Sequence, residues 1–339
     1  GSGLESMEAI VTIIVLFATV IIAIFWFAPR PLLDSKLPGP QVPASLGPAE
    51  LETWLTEHEA GHAGVIEGTD ARIDWATGPG VTDLCFLYVH GFSATRQEIA
   101  PVTERIADHF NANVVYARLA GHGLSENSMQ ATAEQWLQSM VDSWDIASRV
   151  GKRVVVIATS TGAPLCVWLN EHIARRDQPQ AFLFLSPNFK VRSPFGFLLT
   201  WPWAERWVHY LIGKEHSWEP ENEQVARYWT HRYSSKAIIE MQKVVDWVRK
   251  LKPASGQPPL ATFYMKDDPT INHQAAINFH NTWGADHKAL HPVDIDIEVP
   301  QHVFVGDISA PQRNDWCVEA SIKFIQSVPA RADYKAPGA

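Results

Sequence analysis

Cysteine is scarce in this chain of 339 residues. Cys85, Cys166 and Cys317 are the only three, far apart and odd in number. They make neither a disulfide framework nor the close pairs that grip zinc, and they read as three buried free thiols. Basic charge is short as well: 28 Lys and Arg against 37 Asp and Glu leave a net charge of −9. A nucleic-acid binder must neutralise phosphates with a basic surface, so that class is excluded. No Gly-rich loop ending in Lys-Ser/Thr occurs, and no internal repeat. What the chain has in quantity is apolar surface: 46% hydrophobic residues, enough for a globular core, and 14 Trp. Tryptophan at this level points to an apolar pocket or an interfacial surface.

The N-terminal 48 residues read as separate from the globular fold. Residues 1–8 are a tag remnant and the N-terminus, with Met7 as the natural start. Ala9 to Ala28, "AIVTIIVLFATVIIAIFWFA", is interrupted only by Thr12 and Thr19. At about 1.5 Å per residue it covers about 30 Å, one hydrocarbon core, and reads as a transmembrane helix. A cleaved signal peptide fits less well, because Glu5 and Glu8 precede the run and no small-x-small cleavage site follows it. Residues 29–48 carry six prolines and read as a semi-rigid linker holding a domain off the bilayer. The expected location is a single-pass protein of a bacterial inner membrane. Arg30 and Lys36 after the span favour the cytoplasmic side for the domain, though two charges leave the side open.

Residues 49–328 read as one domain, with a tail over 329–339. Apolar runs alternate with helical patterns: strands over 83–91, 113–119, 153–159, 181–187, 260–266 and 294–299, and helices near 97–110, 132–149, 163–176, 273–283 and 312–327. Such repeated βα units build an α/β fold, a mostly parallel sheet with helices on both faces. Residues 64–77 read as an antiparallel hairpin at the sheet edge.

Chemistry enters at "VVVIATSTGAPLCVWL". A strand ends, a tight turn holds Ser160, and a helix begins. The turn Ala158-Thr159-Ser160-Thr161-Gly162 has the small flanking residues that a strained, exposed serine nucleophile requires. Three further stretches stand in matching order: "YVHGFSAT" (88–95), "ARLAGHG" (117–123) and "FLSPNF" (184–189). Over about residues 64–328 the chain resembles the α/β-hydrolase family, in particular its bacterial esterase and monoacylglycerol-lipase-like branch. Ala158 stands where that family usually has glycine.

The resemblance implies an α/β-hydrolase fold with a helical cap inserted over about 189–258. It implies a triad in the order Ser, acid, His: Ser160, Asp268 with Asp267 as runner-up, and His302. It puts the oxyanion hole at the backbone N–H groups of Phe92 and Thr161. His90, His122 and Arg118 read as braces for their loops. Trp201 and Trp203 in the cap are expected to bind substrate, lining an acyl pocket or meeting the bilayer.

One motif competes. "EHEAGH" (57–62) contains His-Glu-x-x-His, which on a helix would let His58 and His62 grip zinc with Glu59 as base. Gly61 and Gly64 fall where that helix must continue and read better as its stop. No metal and no organic cofactor is therefore expected. The expected function is a membrane-anchored serine hydrolase of carboxylic esters, lipid-derived ones such as monoacylglycerols, lysophospholipids or phospholipids, acting through an acyl-enzyme. The expected contacts are the ester or lipid substrate and the membrane, with no nucleic acid; protein partners stay open. The alternatives are a catalytically idle hydrolase-fold membrane adaptor and, further off, a zinc metalloprotease.

Overall fold

The computed structural model describes residues 2–173 and 177–329. The tail expected over 329–339 lies outside the described residues from position 330 on. Helix α1 (Ser2–Phe27) projects from the N-terminus with no part of its apolar span buried. It is long and apolar enough to cross a membrane.

The domain is built on a sheet of seven strands. In chain order the first five are β1 (Arg72–Asp74), β2 (Thr82–Val89), β3 (Asn113–Tyr116), β4 (Gly151–Thr159) and β5 (Ala181–Leu185). A two-stranded ribbon, β6 (Glu215–Ser217) and β7 (Arg232–Ser234), stands apart. The last two sheet strands are β8 (Leu260–Tyr264) and β9 (Lys288–Pro292). The order is β1-β3-β2-β4-β5-β8-β9, all parallel except β1. Its central strands are buried on both faces, which is why they read as continuous apolar runs. In β4, Val154, Val156 and Ala158 join one core and Val155 and Ile157 the other.

One face is covered by α4 (Ala133–Val150), α5 (Gly162–His172) and α8 (Ser235–Arg249), through Trp136, Met140, Cys166, Trp168 and Val244. On the other lie α3 (Val102–His109) and α10 (Asn314–Ser327), through Ile106, Cys317 and Phe324. Helix α4 starts on a capping box in which Thr132 and Gln135 bond reciprocally. Helix α9 (His273–Thr282) flanks β8. All three cysteines are buried and unpaired.

Four expectations change. Residues 64–77 do not form a hairpin. Val65 bridges Leu124 instead, and β1 pairs with β3, because β3 offers an open sheet edge. The last strand is Lys288–Pro292, not 294–299. There His291 stacks on Phe263 (4.6 Å between centroids), and Lys288 Nζ donates to the carbonyls of His280, Asn281 and Trp283. The alternating acids of "DIDIEV" match a strand period, but the place beside β8 is already filled and the segment stays an exposed loop.

The linker does not hold the domain at a distance. It lies along it as a strap. Asp34 and Gln41 donate N–H to Glu134 and Asp142, and Trp168 Nε1 reaches the Ser35 carbonyl. Proline-rich chain leaves its carbonyls free for such side-chain donors. Finally, α8 falls within the expected cap yet belongs to the core, since Val244, Val245 and Val248 pack under α5. What stands over the sheet is residues 190–234: α6 (Ala204–Ile212), the β6–β7 ribbon and α7 (Glu223–Tyr228).

Candidate active site

Ser160 sits at the C-terminal end of β4, in the turn to α5, with φ 54°. A left-handed serine costs roughly 1–3 kcal/mol and persists only where neighbours fix it. They do: Ser160 N–H donates to the Leu185 carbonyl, and Asn188 N–H donates to the Ser160 carbonyl (both 3.0 Å). Gly162 allows α5 to cross tightly, for a Cβ there would lie 2.7 Å from the Val89 carbonyl oxygen. Gly91 brings the β2 loop against the turn, since a Cβ there would stand 3.0 Å from Ser160 Cβ.

His302 comes from the loop after β9, a loop held by a bond from the Ser186 hydroxyl to the His302 carbonyl (2.6 Å). Its Nε2 lies 2.8 Å from the Ser160 hydroxyl and its Nδ1 2.8 Å from Asp268 Oδ2. Asp268 is 1% exposed, and its other oxygen accepts the N–H groups of Thr270 and Ile271. Asp267 is exposed and its N–H turns to His273. The structure thus joins Ser160, His302 and Asp268 and leaves Asp267 outside.

Phe92 and Thr161 flank Ser160. Among the described residues neither backbone N–H has a protein acceptor. His90 and His122 sit behind the loop as neutral rings. His90 Nε2 accepts from Leu119 N–H and its Nδ1 donates to the Gly91 carbonyl. His122 Nε2 accepts from Ser93 N–H. Burial pushes the His90 pKa down to about 4 and His122 well below its usual value.

Sequence reasoning missed three supports. Asn188 braces the turn through backbone and side chain, and Ser186 holds His302. The third is Glu98, fully enclosed beside the Phe92 loop, whose Oε1 accepts Gly91 N–H (2.8 Å) and the Tyr88 hydroxyl (2.6 Å). Burial raises its pKa to about 8. Nothing in the sequence distinguishes it from a surface glutamate of a helical turn.

A cavity of about 950 Å³ opens above Ser160. Its apolar wall comes from Phe92, Val225, Ile238 and Met241, with Trp218 and Trp229 from the cap. Exposed carboxylates of Glu219, Glu221, Asp296 and Glu298 mark its rim. Trp201 and Trp203, expected to line an acyl pocket or to meet the bilayer, do not line this cavity. Trp201 packs edge-on against Phe25 of α1, and Trp203 N–H donates to the Pro29 carbonyl. The cap meets the cavity through the ribbon and α7, while its first turns face the N-terminal helix.

The His-Glu-x-x-His stretch lies in α2 (Pro48–Ala60) and the turn after it. Glu59 is buried and paired with Arg118 through two short bonds (2.6 and 3.0 Å), and it also accepts Ala71 N–H. His58 stacks on Trp54. The carboxylate that would serve a zinc-bound water is committed to a structural ion pair.

Strand order, elbow serine and the segment inserted after β5 define the α/β-hydrolase fold, and the chain has that fold. Similar solved structures include one of the metagenome-derived lipolytic enzymes LipS and LipT (TM-score 0.62, 18% identity, 77% of this chain and 99% of that one). Another is the monoacylglycerol lipase of Paleococcus ferrophilus (TM-score 0.57, 12% identity, 77% and 100%). A third is a soluble variant of the Saccharomyces cerevisiae monoglyceride lipase bound to a substrate analogue (TM-score 0.55, 11% identity, 77% and 92%). No family model and no curated protein matches the sequence. At these identities the likeness is one of fold.

Proposed function

We propose that the chain is a membrane-anchored serine hydrolase of carboxylic esters. The observation that carries this is the unbroken chain Ser160–His302–Asp268, with both links at 2.8 Å, at the floor of a cavity. With its proton on Nδ1 held by Asp268, His302 presents a free Nε2 to the serine. As Ser160 Oγ attacks the ester carbonyl, its proton passes to Nε2. The Phe92 and Thr161 N–H groups then stabilise the oxyanion. Collapse breaks the bond to the alkoxy group, which leaves with the proton from Nε2 and gives an acyl-serine. Water attacks that ester by the same route and releases the acid.

The substrate class proposed is lipid-derived esters. Support comes from the aromatic and aliphatic wall, from the size of the cavity and from α1. The four rim carboxylates favour a neutral or zwitterionic head group over an anionic one, since like charges repel. A monoacylglycerol or a zwitterionic lysophospholipid fits that rim better than an anionic phospholipid. Arg30 and Lys36 on the domain side of α1 favour the cytoplasmic face over the other in this reading.

The test is hydrolysis of a short and a long p-nitrophenyl ester by the detergent-purified chain beside Ser160→Ala. Turnover that disappears in the variant is the expected result. Turnover that survives it removes Ser160 as nucleophile. A folded protein with no turnover on a broad ester panel would favour the idle adaptor.

A further inference from the structure

Folded domains rarely leave several large apolar side chains exposed together without a use for them. Beyond α1 and the linker, the exposed large apolar side chains of the described residues concentrate in one stretch of the cap. Phe195 (66%), Phe197, Trp201, Tyr210 (81%), Leu211 (66%) and Ile212 all lie within 18 residues of chain. Helix α6 turns Ala204 and Val208 inward and packs with Ile239, leaving Tyr210 and Leu211 outward.

Two contacts tie the middle of this stretch to the end of α1 and the start of the linker. Phe25 and Trp201 meet edge to face at 5.2 Å between centroids. Four residues later along the linker, the Pro29 carbonyl accepts Trp203 N–H (2.8 Å). Trp203 is left-handed (φ 54°), an unfavourable conformation for a bulky side chain that this joint holds in place.

Phe25 lies inside the apolar run, three residues before its end, a rise of about 4.5 Å. Crossing about 30 Å of hydrocarbon uses essentially the whole of that run. A ring packed on Phe25 therefore stands at the level where hydrocarbon meets head groups, the depth that Trp and Tyr favour. Charge agrees. Residues 189–214 hold Lys190, Arg192, Arg206 and Lys214 against the single acid Glu205, in a chain whose net charge is −9.

We propose that this cap face is a second membrane contact, seated in the head-group boundary of the bilayer that α1 crosses. The proposal rests on the anchor reading of α1. It does not depend on the hydrolase reading. The strap and the patch then hold the domain in one orientation on the lipid surface instead of letting it swing from a tether. The wall of the cavity follows the patch closely in the chain, with Trp218 six residues beyond Ile212.

The test uses the full chain in nanodiscs of phosphatidylcholine and phosphatidylglycerol. The three native cysteines are buried, so single introduced cysteines can carry a nitroxide. Positions are Leu211→Cys in the patch, Val15→Cys in α1, and Val81→Cys, which is exposed at the opposite end of β2 from the site. Accessibility to oxygen and to a water-soluble nickel chelate reports the depth of each label. The expected result is lipid-like accessibility at 211 and 15 and water-like accessibility at 81. Water-like behaviour at 211 with lipid-like behaviour at 15 overturns the patch and leaves the anchor standing. Water-like behaviour at both overturns the anchor and the patch together. Coupling between 211 labels of two chains would mean that a second copy covers the face, and the proposal would fall.

Discussion

Two adjacent aspartates show how much a single side chain's surroundings decide. Asp267 and Asp268 are equivalent as residue types, yet only Asp268 is buried against His302 and bonded to two backbone N–H groups. Asp268→Asn should lower kcat by about three to four orders of magnitude, because an amide cannot hold the imidazole tautomer. Asp267→Asn should leave kcat near the wild-type value. Equal losses in steady-state assays of the two variants would contradict the assignment.

Glu98 makes a second residue-level prediction. Its folded-state pKa, about 8, lies above the ordinary 4.5. A raised carboxyl pKa stabilises the fold fully below the unfolded value and loses that contribution as pH climbs through the folded value. The thermal midpoint should therefore fall from about pH 4.5 to about pH 8, and fall less in Glu98→Gln, whose amide cannot ionise. Parallel curves for the two proteins would show that Glu98 does not govern the decline. His90 works with the opposite sign: held neutral by burial, it loses its contribution as pH drops from about 6.5 towards 4. The serine turn was legible because turn chemistry is local, whereas His302 was expected from the family resemblance and not from its strand, which lies at 288–292 and not at 294–299. Glu98, Asn188 and Ser186 were not legible, because each acts on a loop distant in sequence.

At the scale of elements, α2 illustrates a pattern whose meaning is set by its partner. A carboxylate between two histidines can serve zinc, but Arg118 lies across from Glu59 with both groups nearly out of water. Glu59→Ala should destabilise the fold by about 3–5 kcal/mol, since it leaves a buried guanidinium unpaired. Glu59→Ala with Arg118→Met should cost less than Glu59→Ala alone, and chemical denaturation of both variants checks this. If the double change costs more, the pair does more than neutralise itself. The misplaced last strand teaches the same lesson. "DIDIEV" has the period of a strand and "KALHP" does not, but with β5 on one side β8 has a single free edge, and the aromatic stack and Lys288 bonds select 288–292 for it.

Across the whole molecule, α1, strap and domain act as a connected unit. The linker's composition suggested a spacer, whereas its backbone groups are taken up along α4 and α5. In the anchor reading the chain should stay in the membrane pellet after an alkaline carbonate wash. A variant lacking residues 9–28 should move to the supernatant. Release of the full chain by carbonate would instead favour a peripheral attachment through the cap alone.

The sequence by itself determined the periodic pattern of a doubly covered parallel sheet, the strained serine turn and the apolar N-terminal run. All three depend on residues adjacent along the chain. Tertiary structure alone decided which strand closes the sheet, what Glu59 pairs with, and where the tryptophans go. Trp218 and Trp229 went to the cavity, Trp201 to the N-terminal helix and Trp203 to the first residue of the linker, although all four belong to one aromatic-rich segment. Composition measures how much apolar surface a segment carries. Which surface covers it depends on contacts between residues far apart in the chain, and those exist only once the chain has folded.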